Sequence, residues 1–239
     1  VSLPYFERQN FTLSRKADHS EVTEADRNTE TVIVDLIAKH RPDHAVYGEE
    51  HGHAGNAASP WKWIIDPIDG TSNFVRGVPV WATLIALVHD VDGPVMGVIS
   101  APALPRRWWA TQGIGAFANG RPMRVSEVSN ISEAQVSVTF NSGWDQTGGT
   151  QALVALQQRA YRARGYGDFW QHMLVAEGAV DIAIDAIGLA PYDNAAVQAI
   201  VEVAGGRHTD RFGVRDYEQN SAISTNGRLH DEVITSLKV

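Results

Sequence analysis

Apolar positions along the chain change period several times, and the changes mark the elements. Leu3, Phe6 and Phe11 suit the tail of a helix and an incoming strand. Val32, Ile33, Leu36 and Ile37 fall at helical spacing. Thr23 with Asp26 three residues on forms a capping pair before them, and Arg41-Pro42-Asp43 is a stop, so a helix is predicted over 24–40. Ala45-Val46-Tyr47 reads as a strand running into Gly48-Glu49-Glu50. Residues 51–60, rich in Gly, Ala and His, read as a mobile loop. Trp63-Ile64-Ile65 is a short buried strand. The continuous apolar run 81–88 predicts a strand buried on both faces. Asp90-Val91-Asp92-Gly93 turns the chain back into a strand over 94–100. Short strands at 108–110 and 115–118 follow, and Asn119-Gly120-Arg121-Pro122 closes the meander.

Beyond residue 126 strands and helices alternate. Strands are predicted at 135–139, 180–184 and 221–225, and helices at 150–159, 169–177, 193–204 and 231–237. Asp193 is expected to cap the third of these helices and Gly205-Gly206 to stop it. An α+β first half followed by a more α/β-like second half gives an α+β class overall. Ser126-Glu127-Val128-Ser129-Asn130 is the best boundary, dividing the chain into 1–125 and 126–239.

Composition narrows the functional classes. The 239 residues are 44% hydrophobic and 20% charged, enough for one large domain or two small ones sharing a core. No apolar run reaches about 18 residues, so no membrane span is expected. No secretory leader is visible, and cysteine is absent, which removes disulfides, thiolate nucleophiles and Cys-type zinc sites; a cytoplasmic setting fits. The net charge of −8 without a basic stripe argues against nucleic acid as partner. An acidic protein that handles anions needs a bound cation to reverse the local field. Gly113-Ile114-Gly115-Ala116-Phe117-Ala118 fits a loose dinucleotide fingerprint, but it leads into a turn and is set aside. His51, His53, His172, His208 and His230 lack zinc-motif spacing and read mostly as surface residues. The seven tryptophans read as core and interface. Neither a Gly-x-Ser-x-Gly elbow nor a P-loop lysine is present.

The chemistry concentrates in Asp66-Pro67-Ile68-Asp69-Gly70-Thr71-Ser72-Asn73-Phe74. Two carboxylates leave a buried strand three residues apart, and Pro67 holds Asp66 extended. Gly70 frees the next corner, so Gly70 and Thr71 can turn successive N–H groups toward an anion. Hard oxygen ligands beside an anion cradle suit Mg²⁺ held against a phosphate.

This run resembles the first signature of the inositol monophosphatase family of Mg²⁺-dependent phosphatases, and Pro191-Tyr192-Asp193-Asn194-Ala195-Ala196 with Glu202-Val203-Ala204-Gly205-Gly206 resembles the second. The resemblance implies a layered α-β-α-β-α sandwich and a homodimer. It also implies a long opening helix before residue 16, which is expected to be largely missing here. Glu49, Asp66, Asp69, Asp193 and the Ile68 carbonyl would hold two or three Mg²⁺, Asp66 bridging. Glu49, Asp26 and Thr71 would prepare the attacking water, and Gly70 and Thr71 would hold the phosphate for direct in-line attack. Lys16 matches a lysine kept near this site.

Substrate choice is expected from Arg164-Gly165-Tyr166-Gly167-Asp168-Phe169, where the family places its substrate-alcohol loop. Asp168 would set a carboxylate beside the leaving group, next to Gly167, suiting a cationic alcohol. That resembles the histidinol-phosphate phosphatase branch, as do Gly77-Val78-Pro79-Val80-Trp81-Ala82 and Ala176-Glu177-Gly178-Ala179-Val180-Asp181. Two departures stand out. Ala186 occupies the position of an acidic substrate contact, with Asp185 one residue earlier, and Ser72 stands where that branch often has Lys. The expected reaction is hydrolysis of a small phosphate monoester, L-histidinol phosphate. Inositol 1-phosphate, a 3′(2′),5′-bisphosphate nucleotide and a regulatory binding role are the rivals.

Overall fold

The helix at Glu24–His40 forms as its cap dictates: the Thr23 hydroxyl accepts Ala25 N–H at 3.1 Å and Asp26 Oδ2 accepts Thr23 N–H at 2.8 Å. The computed structural model describes residues 1–16 and 20–238. In chain order the elements are α1 Ser2–Arg8, β1 Leu13–Arg15, β2 Glu21–Thr23, α2 Glu24–His40, β3 Ala45–Gly48, β4 Gly52–Gly55, β5 Trp61–Asp69, α3 Thr71–Val75, β6 Ala82–His89, β7 Gly93–Ala101, β8 Arg106–Thr111, β9 Gly115–Ala118 and β10 Arg121–Pro122. They continue as β11 Gln135–Val138, α4 Ser142–Gln146, α5 Thr150–Arg159, β12 Arg162–Arg164, α6 Asp168–Ala176, β13 Ile182–Ile184, α7 Pro191–Val203, β14 Arg207–Thr209, β15 Ile223–Thr225 and α8 His230–Leu237.

Five layers stack on one another. α1 and α2 lie outside an eight-stranded sheet of order β10-β9-β8-β7-β6-β5-β3-β4. α6 and α7 lie between it and a five-stranded sheet, β12-β11-β13-β15-β14, whose far face carries α5 and α8. The first sheet is antiparallel except where β3 runs parallel to β5. The second is mixed: β11 is parallel to β12 and β13, whereas β15 is antiparallel to β13 and β14. α7 is buried from Asn194 to Val201, because sheets cover it on two sides. The main core joins Leu84, Ile99 and Trp108 of the first sheet to Phe169, Met173, Val197 and Ile200 of the middle helices.

Three expectations need correction. The segment expected as a mobile loop contains β4, paired antiparallel with β3 from Ala45↔Gly55 to Gly48↔Gly52. Two things fix it: the buried Glu30 carboxylate accepts Glu50 and His51 N–H at 2.8 Å each, and the His53 ring stacks on Tyr47 at 4.5 Å. β6 is buried on one face only, by Ala82, Leu84, Ala86 and Val88. Ile85, on the other face, meets a shallow apolar groove with Ile33, Ile37 and Trp63 beside α2. Asp193 is the third residue of α7, not its cap, and reaches back to accept Ala190 N–H at 2.7 Å.

Candidate metal and phosphate site

Residues three apart on a regular strand point to opposite faces. The register of β5 on β6 shifts between Asp66 and Asp69, and this irregularity turns both carboxylates to one side. Asp193, at the start of α7, completes a group whose ligand oxygens all lie within 4.8 Å of one another. Each carboxylate is aimed by one backbone N–H: Asp66 by Ile68 at 2.9 Å, Asp69 by Phe169 at 2.8 Å and Asp193 by Ala190 at 2.7 Å. Burial drives all three pKa values up, that of Asp193 to about 7. The charges of Glu49, Asp69 and Asp193 then raise Asp66, and those of Asp168 and Asp193 raise Asp69. Buried like charges of this kind suit a hard divalent cation, and the donor set is all oxygen.

Glu49 follows β3 and is raised first by burial, while hydrogen bonding to Lys16 opposes the shift. Lys16 Nζ lies 2.7 Å from both Glu49 Oε1 and Glu50 Oε1. Burial alone would lower the lysine, yet the two glutamates raise it above its ordinary value. Ile68, central to the motif, is buried, and its carbonyl accepts the Thr71 hydroxyl at 3.0 Å. The same hydroxyl lies 3.3 Å from Asp26 Oδ1. Asp26 is fully buried and raised chiefly by burial, against the Thr23 hydrogen bonds. Gly70, at φ 82, precedes the short α3 and opens it at Thr71.

The second half delivers its residues onto this corner. Gly167 precedes α6 at φ 79, and Asp168 is the first helical residue, with φ 46. A non-glycine residue there is strained, a condition that recurs at functional sites. Its Oδ2 accepts Asn73 Nδ2 at 2.8 Å and would lie 3.4 Å from a Cβ on Gly70. Burial first, then the charge of Asp185, raises Asp168 to about 6. Asp185 ends beside β13, and its charge also acts on Asp69 and Asp193, but its oxygens are engaged by Ala186 N–H at 2.7 Å and His172 Nε2 at 3.0 Å.

The histidine expectation fails for three of the five residues, since His172, His208 and His230 are 2%, 2% and 0% exposed. Hydroxyl partners allow this: His172 and His208 share the Ser224 hydroxyl, and His230 lies between Thr209 and Thr225. Sequence reading also passed over Asn73, which holds Asp168, and Glu30, which holds the backbone after Glu49. The placing of His172 one helical turn after Asp168 was the available signal for that residue.

The sequence profile of the inositol monophosphatase family matches residues 3–238. A histidinol-phosphatase of Mycobacterium tuberculosis is 47% identical over 230 residues, covering 94% of this chain and 87% of that protein. A histidinol-phosphatase of Streptomyces coelicolor is 43% identical over 242 residues, covering 98% and 90%. Among solved structures, the extragenic suppressor protein suhB of Bartonella henselae superposes with a TM-score of 0.90 at 30% identity, covering 98% of this chain and 91% of that one. With the carboxylate cluster in place, the profile spanning nearly the whole chain and the layers shared with solved members, the chain belongs to the inositol monophosphatase family.

Proposed function

We propose that this phosphomonoesterase hydrolyses L-histidinol phosphate to L-histidinol and phosphate with Mg²⁺ as cofactor. The observation that carries the substrate is the half-buried Asp168 carboxylate, held by Asn73 against the Gly70 corner. A carboxylate there forms a charge-assisted pair with a cationic leaving alcohol, which is stronger than the hydrogen bonds it could accept from a neutral polyol. The histidinol-phosphatases of M. tuberculosis and S. coelicolor support the reading.

Glu49, Asp66, Asp69, Asp193 and the Ile68 carbonyl would hold two or three ions. Bound there, Mg²⁺ supplies charge neutralisation and a water of lowered pKa. The N–H groups of Gly70 and Thr71 grip the phosphate oxygens. The Thr71 hydroxyl orients the attacking water, and Asp26, made more basic by burial, draws its proton with Glu49 close by. Asp168, Gly167 and Asp185 face the departing alcohol. We place the enzyme in the cytoplasm, a setting its cysteine-free sequence fits, and as a homodimer on the family resemblance.

Phosphate release tests the substrate, comparing histidinol phosphate, inositol 1-phosphate and adenosine 3′,5′-bisphosphate. Histidinol phosphate is expected to win. Asp168→Asn is expected to lower its kcat/KM by roughly 10–100-fold, the worth of a charged hydrogen bond, and to leave the other two within about threefold. Protonation removes the Asp168 charge below its pKa of about 6, so the wild-type preference should fade as pH drops through that value. A preference for either other substrate, or one unchanged in Asp168→Asn, rejects the assignment.

Metal dependence has its own signature. The folded carboxylates bind protons more tightly than their ordinary value of 3.8, so the folded state carries extra protons above pH 4. Stability of the chelator-treated protein should therefore fall as pH rises from about 4 to about 7. Added Mg²⁺ should restore the melting temperature at pH 7.5 and do much less at pH 5. In a chain of this size ~1 kcal/mol corresponds to roughly 2–4 °C, so scanning calorimetry resolves the effect. Equal Mg²⁺ shifts at both pH values would count against the cluster as the binding site.

A further inference from the structure

We propose that His172 is a positioning residue that locks Asp185 as a second specificity carboxylate for the leaving alcohol. The proposal rests on the substrate reading above, in which Asp168 and Asp185 receive a cationic alcohol. Its ground is a buried hydrogen-bonded chain that ends on the Asp185 carboxylate. Asp185 Oδ2 lies 3.0 Å from His172 Nε2, His172 Nδ1 lies 2.8 Å from Ser224 Oγ, and Ser224 Oγ lies 2.9 Å from His208 Nδ1. An ionised Asp185 only accepts, so His172 Nε2 must carry a hydrogen. The Nδ1 of a neutral ring then accepts the single Ser224 hydroxyl hydrogen, and Ser224 accepts from His208 Nδ1–H.

Burial makes this arrangement consequential. Asp185, His172, Ser224 and His208 are 6%, 2%, 0% and 2% exposed, so water cannot replace a missing partner. Burial also holds His208 well below its ordinary pKa, which keeps the far ring neutral. With Ala186 N–H on Oδ1 and His172 on Oδ2, the Asp185 carboxylate has both oxygens fixed and cannot turn. Three elements meet at this point: His172 sits on α6, Asp185 follows β13 and Ser224 lies on β15, paired with Ala183. His172 is one turn after Asp168 on α6, so a single helix face carries one specificity carboxylate and the anchor of the other. Asp185 reaches into the site electrostatically, raising Asp168, Asp69 and Asp193. Two fixed carboxylates match an alcohol bearing both an ammonium and an imidazole better than one does.

The test is steady-state kinetics of His172→Phe and His172→Gln at saturating Mg²⁺, with histidinol phosphate and glycerol 2-phosphate. Phe removes the donor at similar volume, whereas Gln can still donate to Asp185. The expected result for His172→Phe is a KM for histidinol phosphate raised roughly tenfold or more, the worth of a hydrogen bond to a charged group, with kcat within about threefold. Its KM for glycerol 2-phosphate should stay within about threefold, and His172→Gln should recover most of the loss. Equal losses on both substrates, no loss, or Gln no better than Phe would overturn the proposal. If His172→Phe does not fold, Ser224→Ala serves instead: a rise in KM confined to histidinol phosphate supports the chain, and an equal loss on both substrates overturns it. A wild type without preference for histidinol phosphate rejects the substrate reading itself. A selective wild type, an Asp168→Asn that loses selectivity and a His172→Phe that keeps it reject only the role of His172.

Discussion

Asp66→Asn is expected to lose Mg²⁺-dependent phosphate release by about 10³-fold or more while melting at a higher temperature than the wild type in chelator. The two effects share one cause. Asp66 is 2% exposed, and burial together with the charges of Glu49, Asp69 and Asp193 pushes its pKa well above the ordinary value. An amide removes that repulsion, and its carbonyl oxygen can still accept Ile68 N–H, so the irregularity within β5 keeps its hydrogen bond. What is lost is the anionic oxygen central to the cluster, and with it the cation that neutralises the reacting phosphate; about 10³-fold corresponds to ~4 kcal/mol of transition-state stabilisation. Activity against Mg²⁺ concentration and a melt in chelator measure both halves. More than about a tenth of wild-type activity in the variant would remove Asp66 from the site. A regulatory protein that merely kept the fold would show no turnover to lose even as wild type.

Legibility in the sequence followed the range of the interactions. The helix at Glu24–His40 was readable end to end because its cap, its period and its stop are all local. The Asp66–Phe74 run was readable for the same reason, since the ligands and the glycine corner are neighbours in sequence. What was not readable is why Asp66 and Asp69 face the same way: that depends on a register shift against β6, made by pairing with a strand that begins thirteen residues after the later aspartate. β12 and β14 have three residues each, too few for a period, and exist because β11 and β15 pair with them. The apolar run over 81–88 concealed its alternation because both faces carry apolar residues, one against α7 and one beside α2. The buried histidines were missed because a search for zinc spacing does not find rings whose partners are Ser224, Thr209 and Thr225.

Gly48→Ala is expected to weaken Mg²⁺ binding and stability together. A Cβ at residue 48 would lie 2.0 Å from Glu30 Oε1 and 2.4 Å from its Cδ, so the carboxylate must move. It is not free to do so, because Glu30 is fully buried and holds Glu50 and His51 N–H at 2.8 Å. Displacing it abandons two charge-assisted hydrogen bonds inside the protein or pushes β3 away from α2. Overpacking of this kind costs ~1–3 kcal/mol. The functional loss follows from the next residue: Glu49 lies between Gly48 and the backbone that Glu30 clamps, so its side chain loses its aim. Loss of a group that orients a metal ligand typically costs about 10–100-fold in metal affinity, and the Mg²⁺ concentration for half-maximal activity should rise accordingly. Glu30→Gln separates the two parts. It keeps the volume and one acceptor, so its stability should fall less than that of Gly48→Ala while its Mg²⁺ requirement still rises. A Glu30→Gln with wild-type Mg²⁺ dependence and lowered stability would show that Glu30 only braces β3 and β4, with Glu49 aimed by Lys16 alone.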